Sequence, residues 1–290
     1  MNPELQKQSL FITTPTNRLN LKVPLVMGIV NLTTDSFYSG NRFLRQNYLV
    51  AVDKMLEEGA AIIDLGALST RPGSKGIGAE EEIKRLETPL KEIRKTFPDT
   101  TISVDTYLSA VAKWAAELGA DMINDISGGT IDDEMIPVMA KLNIPYVIMH
   151  MQGTPANMQI SPVYQDVIRE VGDFFSKQIH KLKQAGFTAD IILDPGFGFG
   201  KTVDHNFRLL SGLNHYTKLG LPILAGTSRK SMINKVLMVK PESALNGTTV
   251  INTMALLNGA NILRVHDVKE AVEAVKLFQQ YKKSTNYDEN

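Results

Sequence analysis

The stretch ELGADMIND, residues 117–125, contains the unit from which the fold can be predicted. A helical segment ends at Gly119, Ala120 follows, and a short apolar run begins. The same order recurs in EEGAAIID, residues 57–64, and in LNGANILRV, residues 257–265. Glycine suits the left-handed backbone position after a helix. Each unit therefore predicts a helix that stops and a strand that begins.

Eight near-continuous apolar runs are spread along the chain. Such unbroken runs are typical of parallel strands that helices cover on both faces. Segments with helical spacing, such as YLVAVDKMLEEG and AVAKWAAELG, lie between them. Eight strand–helix units in about 250 residues predict an α/β protein with a (β/α)8 TIM barrel. An open, doubly wound sheet is the structural alternative. The runs begin at residues 25, 61, 101, 122, 146, 190, 222 and 262.

The composition changes nowhere along the 290 residues, which favours one domain. We expect a barrel domain over residues 24–282, an N-terminal extension over 1–23 that caps the barrel, and a polar tail over 283–290.

Composition also limits the function. The chain has 31 basic and 31 acidic residues and no basic cluster, which argues against a nucleic-acid partner. It has no cysteine, so disulfides, thiolate nucleophiles and cysteine-ligated metals are excluded. We see no signal peptide, and no apolar run approaches the roughly 18 residues of a membrane helix. We therefore expect a cytoplasmic enzyme that acts on small molecules.

The ends of the apolar runs carry polar groups. Catalytic residues of a barrel lie at the C-terminal ends of its strands. A single aspartate there also suits a helix cap, but capping does not explain a polar group at seven of the eight ends. The residues at the ends are Asn31, Asp64, Asp105, Asn124, Met149 with His150, Asp194, Ser228 with Arg229 and Lys230, and Arg264 with His266.

These side chains predict the kind of ligand. Ionised carboxylates only accept hydrogen bonds, so the acidic side suits a planar ligand with several N–H donors. Lys230, Arg264 and His266 form a basic side that suits an anion, in particular a phosphate. His266 taken alone is as well explained as a structural histidine. Beside Arg264 we interpret it as an anion ligand.

The stretch IILDPGFGFGKT, residues 191–202, looks like a phosphate-binding loop. Its spacing excludes that function, because the first glycine of such a loop would fall at Pro195, which has no N–H. A dinucleotide fingerprint would need glycine where Lys201 stands. We expect instead a strand that ends in Asp194 and opens into a flexible loop.

Two long loops are also predicted, at residues 31–43 and 69–82. Ordinary surface loops would explain their composition, but loops at these positions in a barrel also serve as lids. Arg71 precedes Pro72, which restricts Arg71 to extended geometry.

Together these stretches resemble the dihydropteroate synthase family over residues 24–280. The family condenses hydroxymethyl-dihydropterin pyrophosphate with p-aminobenzoate, releases pyrophosphate in folate biosynthesis, and is a target of sulfonamides. One match alone is modestly specific, whereas eight in the right order are very specific. In chain order they are MGIVNLTTDSF, IIDLGALSTRPGS, SVDTY, INDISGG, VIMHMQGTP, ILDPGFGFGKT, GTSRKS and RVHDVKE.

The resemblance implies roles by position. It implies a dissociative displacement, a Mg²⁺ cofactor and a homodimer. Lys230, Arg71, Asp35, Arg264 and His266 correspond to catalytic positions, and Phe37 lies with Asp35 on the first loop. The implied pterin pocket contains Asp105, Asn124, Asp194, Lys230, Met149 and Gly226. The implied pyrophosphate site contains Asn31, Arg264 and His266, with Asn31 also touching Mg²⁺. The implied p-aminobenzoate side contains Thr70, Arg71, Pro72, Phe199 and Ser228.

Some positions depart from the family pattern. Thr34 replaces a proline, and Ser39-Gly40-Asn41 replaces Asp-Gly-Gly. Leu68 replaces a glutamate, which removes a carboxylate near the second loop. Leu68 and Thr34 motivate one rival function, a non-catalytic pterin-binding paralogue. The other rival is a methyltransferase that uses methyltetrahydrofolate, but it has no reason to keep STRPGS and GTSRKS together.

Overall fold

The computed structural model describes residues 11–32, 42–68 and 76–285. The strands are β1 (Phe11–Thr13), β2 (Arg18–Asn20), β3 (Leu25–Asn31), β4 (Ile62–Gly66), β5 (Thr101–Asp105), β6 (Met122–Asp125), β7 (Tyr146–Met149), β8 (Ile191–Asp194), β9 (Leu224–Ala225) and β10 (Ile262–Val265). The α-helices are α1 (Arg42–Glu57), α2 (Ala79–Thr96), α3 (Ser109–Glu117), α4 (Met135–Leu142), α5 (Val167–Gln184), α6 (Val203–Ser211), α7 (Ser231–Leu237), α8 (Leu245–Leu257) and α9 (Val268–Thr285). Two 3₁₀ turns, Leu213–Leu219 and Pro241–Ser243, complete the described elements.

The strands from β3 to β10 form one closed parallel sheet. Their order is β8-β7-β6-β5-β4-β3-β10-β9, and each neighbouring pair is parallel. A parallel bridge between Leu193 and Ile223 joins the two ends of that order. The TIM barrel prediction is confirmed. The doubly wound alternative is wrong, because an open sheet would leave its two end strands unpaired.

The glycines that ended the predicted helices have the expected backbone. Gly59, Gly119 and Gly259 have φ angles of 102°, 93° and 97°. The alanine after each glycine donates its N–H to a carbonyl five residues earlier in the helix, at 2.9 Å in all three cases. That bond is one of the pair in a Schellman ending. The repeated Gly-Ala pair therefore turns the chain from a helix into the next strand.

The floor of the barrel is apolar. Seven inward side chains, one from each of seven strands, pack into one cluster with Ile12 of β1 and with Leu21, which follows β2. The seven are Met27, Ile62, Met122, Val147, Ile192, Leu224 and Ile262.

A larger apolar cluster fills the space between the sheet and the surrounding helices. In α2, for example, Leu86, Leu90 and Ile93 are buried at the three- to four-residue spacing of a helix face. The final helix, α9, continues past residue 282 to Thr285, so the helix includes the first three residues of the segment expected to be a tail. The described helices include none that is long and apolar enough to cross a membrane.

Candidate active site

Strand geometry decides which side chains enter the barrel mouth. Successive side chains of a strand point to opposite faces, so every second residue faces inward. The floor residues face inward, and the residues two positions further along their strands therefore do so as well. These residues, one layer above the floor, are Ile29, Asp64, Asn124, Met149, Asp194, Gly226 (just after β9) and Arg264.

Arg264 lies at the centre of the mouth. Its Nε is 2.7 Å from Asp64 Oδ2, and its Nη2 is 2.7 Å from Asp105 Oδ2. Asn124 Nδ2 donates to the same Asp64 oxygen at 3.1 Å. The expected separation of an acidic side from a basic side is therefore wrong. Ring closure places β10 one strand away from β4, and the long Arg264 side chain spans that distance.

Each of these aspartates keeps one free oxygen. Asp64 Oδ1 and Asp105 Oδ1 are buried and have no hydrogen-bond partner. Burial raises the pKa of Asp105, the Arg264 guanidinium opposes that shift, and the Asp64, Asp125 and Asp194 carboxylates add to it. A buried acceptor without a partner is costly. N–H donors of a ligand would satisfy both oxygens.

Asp194 and Lys230 meet beside Gly226. A Cβ placed on Gly226 would lie 3.8 Å from both Asp194 Oδ2 and Lys230 Nζ, so both polar atoms face the same small space. Lys230 Nζ also donates to the Phe197 carbonyl and lies 4.7 Å from the centre of the Phe199 ring. Burial lowers the pKa of Lys230 to about 8, and Asp194 opposes that change. The structure thus brings together Asp194 and Lys230, two of the residues predicted for the pterin pocket, with Phe199 next to them.

His266 and Ser228 form a second pair. His266 Nδ1 is 3.0 Å from Ser228 Oγ, and the His266 backbone N–H donates to the same Oγ at 3.2 Å. The serine hydroxyl can donate to Nδ1 while its oxygen accepts the backbone N–H, and in that arrangement the imidazole proton is on Nε2. Desolvation of the ring and the nearby Arg264 guanidinium lower the pKa of His266, although part of the residue is exposed to solvent. The lowered pKa favours the neutral imidazole over the cation.

Asn31 lies at the C-terminal end of β3. A Cβ placed on Gly66 would lie 3.7 Å from Asn31 Oδ1 and 3.8 Å from Asp105 Oδ2, so these two oxygens flank the same glycine. Among the described residues, no group of three or more histidine, aspartate or glutamate side chains could hold a metal ion. A metal here would take an amide oxygen together with oxygens of its substrate and water.

Several predicted site residues lie outside the described residues: Asp35, Phe37, Thr70, Arg71 and Pro72. Leu68, which stands where the family pattern has glutamate, is buried next to Ala67, whose carbonyl accepts a hydrogen bond from Arg85 Nη1 at 3.3 Å.

Three buried charged residues have no role that the sequence patterns predict. Asp64 is only the end of a strand in those patterns, and Lys201 only breaks a nucleotide fingerprint. Glu82 has no motif around it, but it shares the helical phase of the buried residues Leu86 and Ile93. Neither Glu82 oxygen makes a well-aligned hydrogen bond. Burial raises the pKa of Glu82 to about 8, the Thr106 hydroxyl partly opposes this, and the Asp105 carboxylate adds to it.

Lys201 is buried as well, below the loop that follows β8. Burial lowers its pKa, and the Asp194 carboxylate opposes that shift. Its Nζ lies 3.0 Å from His150 Nδ1. Burial lowers the pKa of His150 to about 2, and the positive charge of Lys201 lowers it further. His150 is therefore neutral and is a partner of Lys201.

The chain is similar to known proteins in both sequence and fold. A family model described as pterin binding enzyme matches residues 27–266. The chain is 43% identical to the dihydropteroate synthase of Haemophilus influenzae over 263 residues, 90% of this chain and 95% of that protein. A Yersinia pestis dihydropteroate synthase with a sulfonamide drug complex superposes with a TM-score of 0.89 at 39% identity, covering 94% of this chain and 99% of that one. A Xanthomonas albilineans dihydropteroate synthase in complex with 7,8-dihydropteroate gives a TM-score of 0.83 at 32% identity, covering 94% and 99%.

Proposed function

The chain belongs to the dihydropteroate synthase family of pterin-binding enzymes, and we propose how the mouth of its barrel carries out that family's reaction. It is a transferase of folate biosynthesis that acts on small molecules. It condenses hydroxymethyl-dihydropterin pyrophosphate with p-aminobenzoate and releases pyrophosphate. The observation that best supports the residue roles is the set of buried acceptors, Asp64 Oδ1, Asp105 Oδ1 and Asp194 Oδ2, at one end of the barrel.

The pterin ring is the planar donor that these acceptors suit. Its ring N–H and amino groups would donate to Asp105 and Asp194, while Asn124 can both donate and accept. Lys230 beside Asp194 would donate to a ring acceptor. Met149, inward and buried, would form an apolar wall. This arrangement fixes the ring so that the carbon that reacts faces the outer part of the mouth.

Bond breaking leaves negative charge on pyrophosphate. We propose that the C–O bond breaks first and that the electron-rich dihydropterin stabilises the cation that results. Asn31 and the Nε2–H of His266 would hydrogen-bond to the leaving oxygens, and Arg264 would add positive charge from between its two carboxylates. His266 contributes as a neutral donor because its pKa is lowered.

The donor set at Asn31 fits Mg²⁺, which takes oxygen ligands and binds through few protein groups together with substrate phosphates. Asn31 Oδ1 would hold the ion with pyrophosphate oxygens and water. When bound, Mg²⁺ would stabilise the charge of the leaving group.

The second substrate is a weak nucleophile, so its placement supplies much of the rate. Phe199 and Ser228 would contact p-aminobenzoate next to Lys230, with Thr70, Arg71 and Pro72 of the second loop completing that side. The amine nitrogen attacks the pterin cation and then loses one proton. No covalent intermediate with the enzyme is required. Sulfonamides, which resemble p-aminobenzoate, would compete for the same space.

We also propose a homodimer and a cytoplasmic location. The location rests on the family resemblance. The homodimer has independent support, because Val250, Met254 and Leu257 form an exposed apolar stripe on α8, at one-turn spacing. Val236 and Leu237, near the end of α7, and Met238, just after it, are exposed as well. Apolar surface of this kind marks an interaction site, and a two-fold axis would bury it on both copies.

Pyrophosphate release tests the proposed function. The protein is mixed with hydroxymethyl-dihydropterin pyrophosphate and Mg²⁺, with and without p-aminobenzoate, and both pyrophosphate and dihydropteroate are measured. We expect release that depends on p-aminobenzoate, with one dihydropteroate formed for each pyrophosphate. Pterin binding without either product would reject catalysis and favour a non-catalytic paralogue.

A further inference from the structure

The loop that follows β8 is built around its own lysine. Lys201 is only 3% exposed. Its Nζ lies 3.0 Å from the Gly196 carbonyl oxygen, 3.1 Å from that of Phe199 and 3.3 Å from that of His150. The fourth contact is His150 Nδ1, at 3.0 Å. In a phosphate-binding loop, backbone N–H groups converge on an anion. Here carbonyls converge on a cation, so the polarity of the loop is reversed.

The alternate glycines are explained by this arrangement. Gly196, Gly198 and Gly200 have φ angles of 71°, 81° and 59°, which other residues rarely adopt. A Cβ on Gly196 would lie 1.9 Å from the His150 carbonyl oxygen, and one on Gly200 would lie 2.4 Å from that of Gln152. The backbone of the loop therefore lies directly against the backbone that follows β7. Only glycine allows the carbonyls to approach Lys201 in this way.

The same loop holds substrate-binding groups in place. The Gly196 N–H donates to Asp194 Oδ1 at 2.7 Å, which leaves Oδ2 facing Lys230. The Phe197 carbonyl accepts a hydrogen bond from Lys230, and the Phe199 ring lies under the Lys230 ammonium. Lys201 bonds the carbonyls of Gly196 and Phe199. It is thus hydrogen-bonded to Gly196, the residue whose N–H orients Asp194.

Two other side chains contact carbonyls of the same loop. Gln159 Nε2 donates to the Gly198 carbonyl at 2.7 Å, and the Tyr164 hydroxyl donates to the Gly200 carbonyl at 2.8 Å. Both side chains reach the loop from the segment that follows β7, and Gln159 is exposed. Of these three side chains, Lys201 is the one that bonds the carbonyls of both Gly196 and Phe199.

We propose that Lys201 is a positioning residue for the condensation: its ammonium holds the Gly196 and Phe199 peptides so that Asp194, Lys230 and the Phe199 ring keep the geometry that binds both substrates. This inference rests on the proposed function of the mouth. Lys201 itself touches neither substrate. A residue that only stabilised the fold would leave substrate binding by the folded enzyme unchanged. A positioning residue predicts weaker binding and slower turnover even when the variant is folded.

The test is Lys201→Met, which keeps the length of the side chain and removes its charge and donors. Binding of the dihydropterin pyrophosphate is titrated in the presence of Mg²⁺ and without p-aminobenzoate, and kcat and KM are measured for both substrates. In the folded variant we expect roughly tenfold weaker pterin binding and about a hundredfold lower kcat/KM, as for a displaced catalytic group. Wild-type pterin affinity and kcat in a folded variant that only unfolds more easily would overturn the proposal.

The double variant Lys201→Met/Asp194→Asn shows whether Lys201 acts through Asp194. Coupled residues give non-additive effects on binding, whereas independent ones add. We expect the loss of pterin affinity in the double variant to be clearly smaller than the product of the two single losses. Additive losses would overturn the link to Asp194.

Two further variants complete the design. Lys177→Met, on the exposed face of α5, makes the same replacement far from the loop and should keep wild-type kinetics. If Lys201→Met does not fold, Lys201→Gln retains two N–H donors and should give a partial loss of pterin affinity. A folded Lys201→Gln protein with wild-type kinetics would overturn the proposal. Wild-type protein without turnover would count against the proposed function, while the pterin titrations would still decide the role of Lys201.

Discussion

The Arg264 guanidinium lies 2.7 Å from the Asp64 carboxylate, although 200 positions separate the two residues in the chain. Asp64 is fully buried and also accepts a hydrogen bond from Asn124. The pair therefore links β10 and β4 across the mouth. Its carboxylate neutralises a guanidinium that would otherwise face only Asp105.

Replacement of Asp64 should reveal the energy of this link. We expect Asp64→Ala to lower the free energy of unfolding by about 3 kcal/mol, because it leaves a partly buried cation with one carboxylate partner in place of two. Urea unfolding of the wild type and the variant measures this change in the free energy of unfolding. Glu87→Ala is the control, since Glu87 pairs with Lys91 on the exposed face of α2 and should cost under about 1 kcal/mol. Equal losses in the two variants would contradict the role of Asp64.

Lys230 is expected to be needed for catalysis and not for folding. Its ammonium donates to the Phe197 carbonyl, lies over the Phe199 ring and faces the same space as Asp194, at the junction of the proposed substrate sites. Lys230→Ala should lower kcat/KM by at least about a hundredfold while the circular dichroism spectrum stays unchanged. Lys235→Ala, on the exposed side of α7, should have normal kinetics. A folded Lys230→Ala protein with near-normal turnover would show that this assignment is wrong.

Glu82 should make stability depend on pH. Its pKa is raised from 4.5 to about 8 in the folded protein, chiefly by burial. Between these values the unfolded chain loses the proton and the folded chain keeps it, so this contribution to stability is full at low pH and decreases as pH rises. The slope is about 1.4 kcal/mol per pH unit. Relative to wild type, Glu82→Gln should therefore become steadily more stable between pH 5 and pH 8.

Urea unfolding of both proteins at several pH values provides the measurement. Glu80→Gln is the matched control, because Glu80 lies in the same first turn of α2 but is exposed. Its stability should follow the wild-type curve. If Glu82→Gln also followed that curve, Glu82 would be ionised in the folded protein.

The apolar stripe on α8 predicts the oligomeric state. Met254→Glu places a charge within it, and a two-fold interface would contain that charge twice. We expect the variant to sediment as a monomer at concentrations where the wild-type protein is a dimer. Val50→Glu alters an exposed apolar residue on α1 and should leave the dimer intact. A Met254→Glu dimer as stable as the wild type would place the interface elsewhere.

The fold could be read from local patterns. The Gly-Ala pairs at the ends of α1, α3 and α8 and the unbroken apolar runs depend only on backbone sterics and burial, which act over a few residues. The order of matching stretches identified the family. The same reasoning found most of the mouth, since a polar group at the end of a parallel strand has few other places to point.

The sequence alone thus determined the barrel, its family and the inward position of Asp105, Asn124, Asp194 and Arg264. Only the tertiary structure decided their partners. Arg264 is placed between two carboxylates, His266 is neutral beside Ser228, and Lys201 is directed into its own loop. The physical reason is that side-chain periodicity fixes a direction, whereas a hydrogen bond or ion pair requires two atoms within about 3 Å. Closure of the ring supplies that proximity, between residues that no local pattern connects.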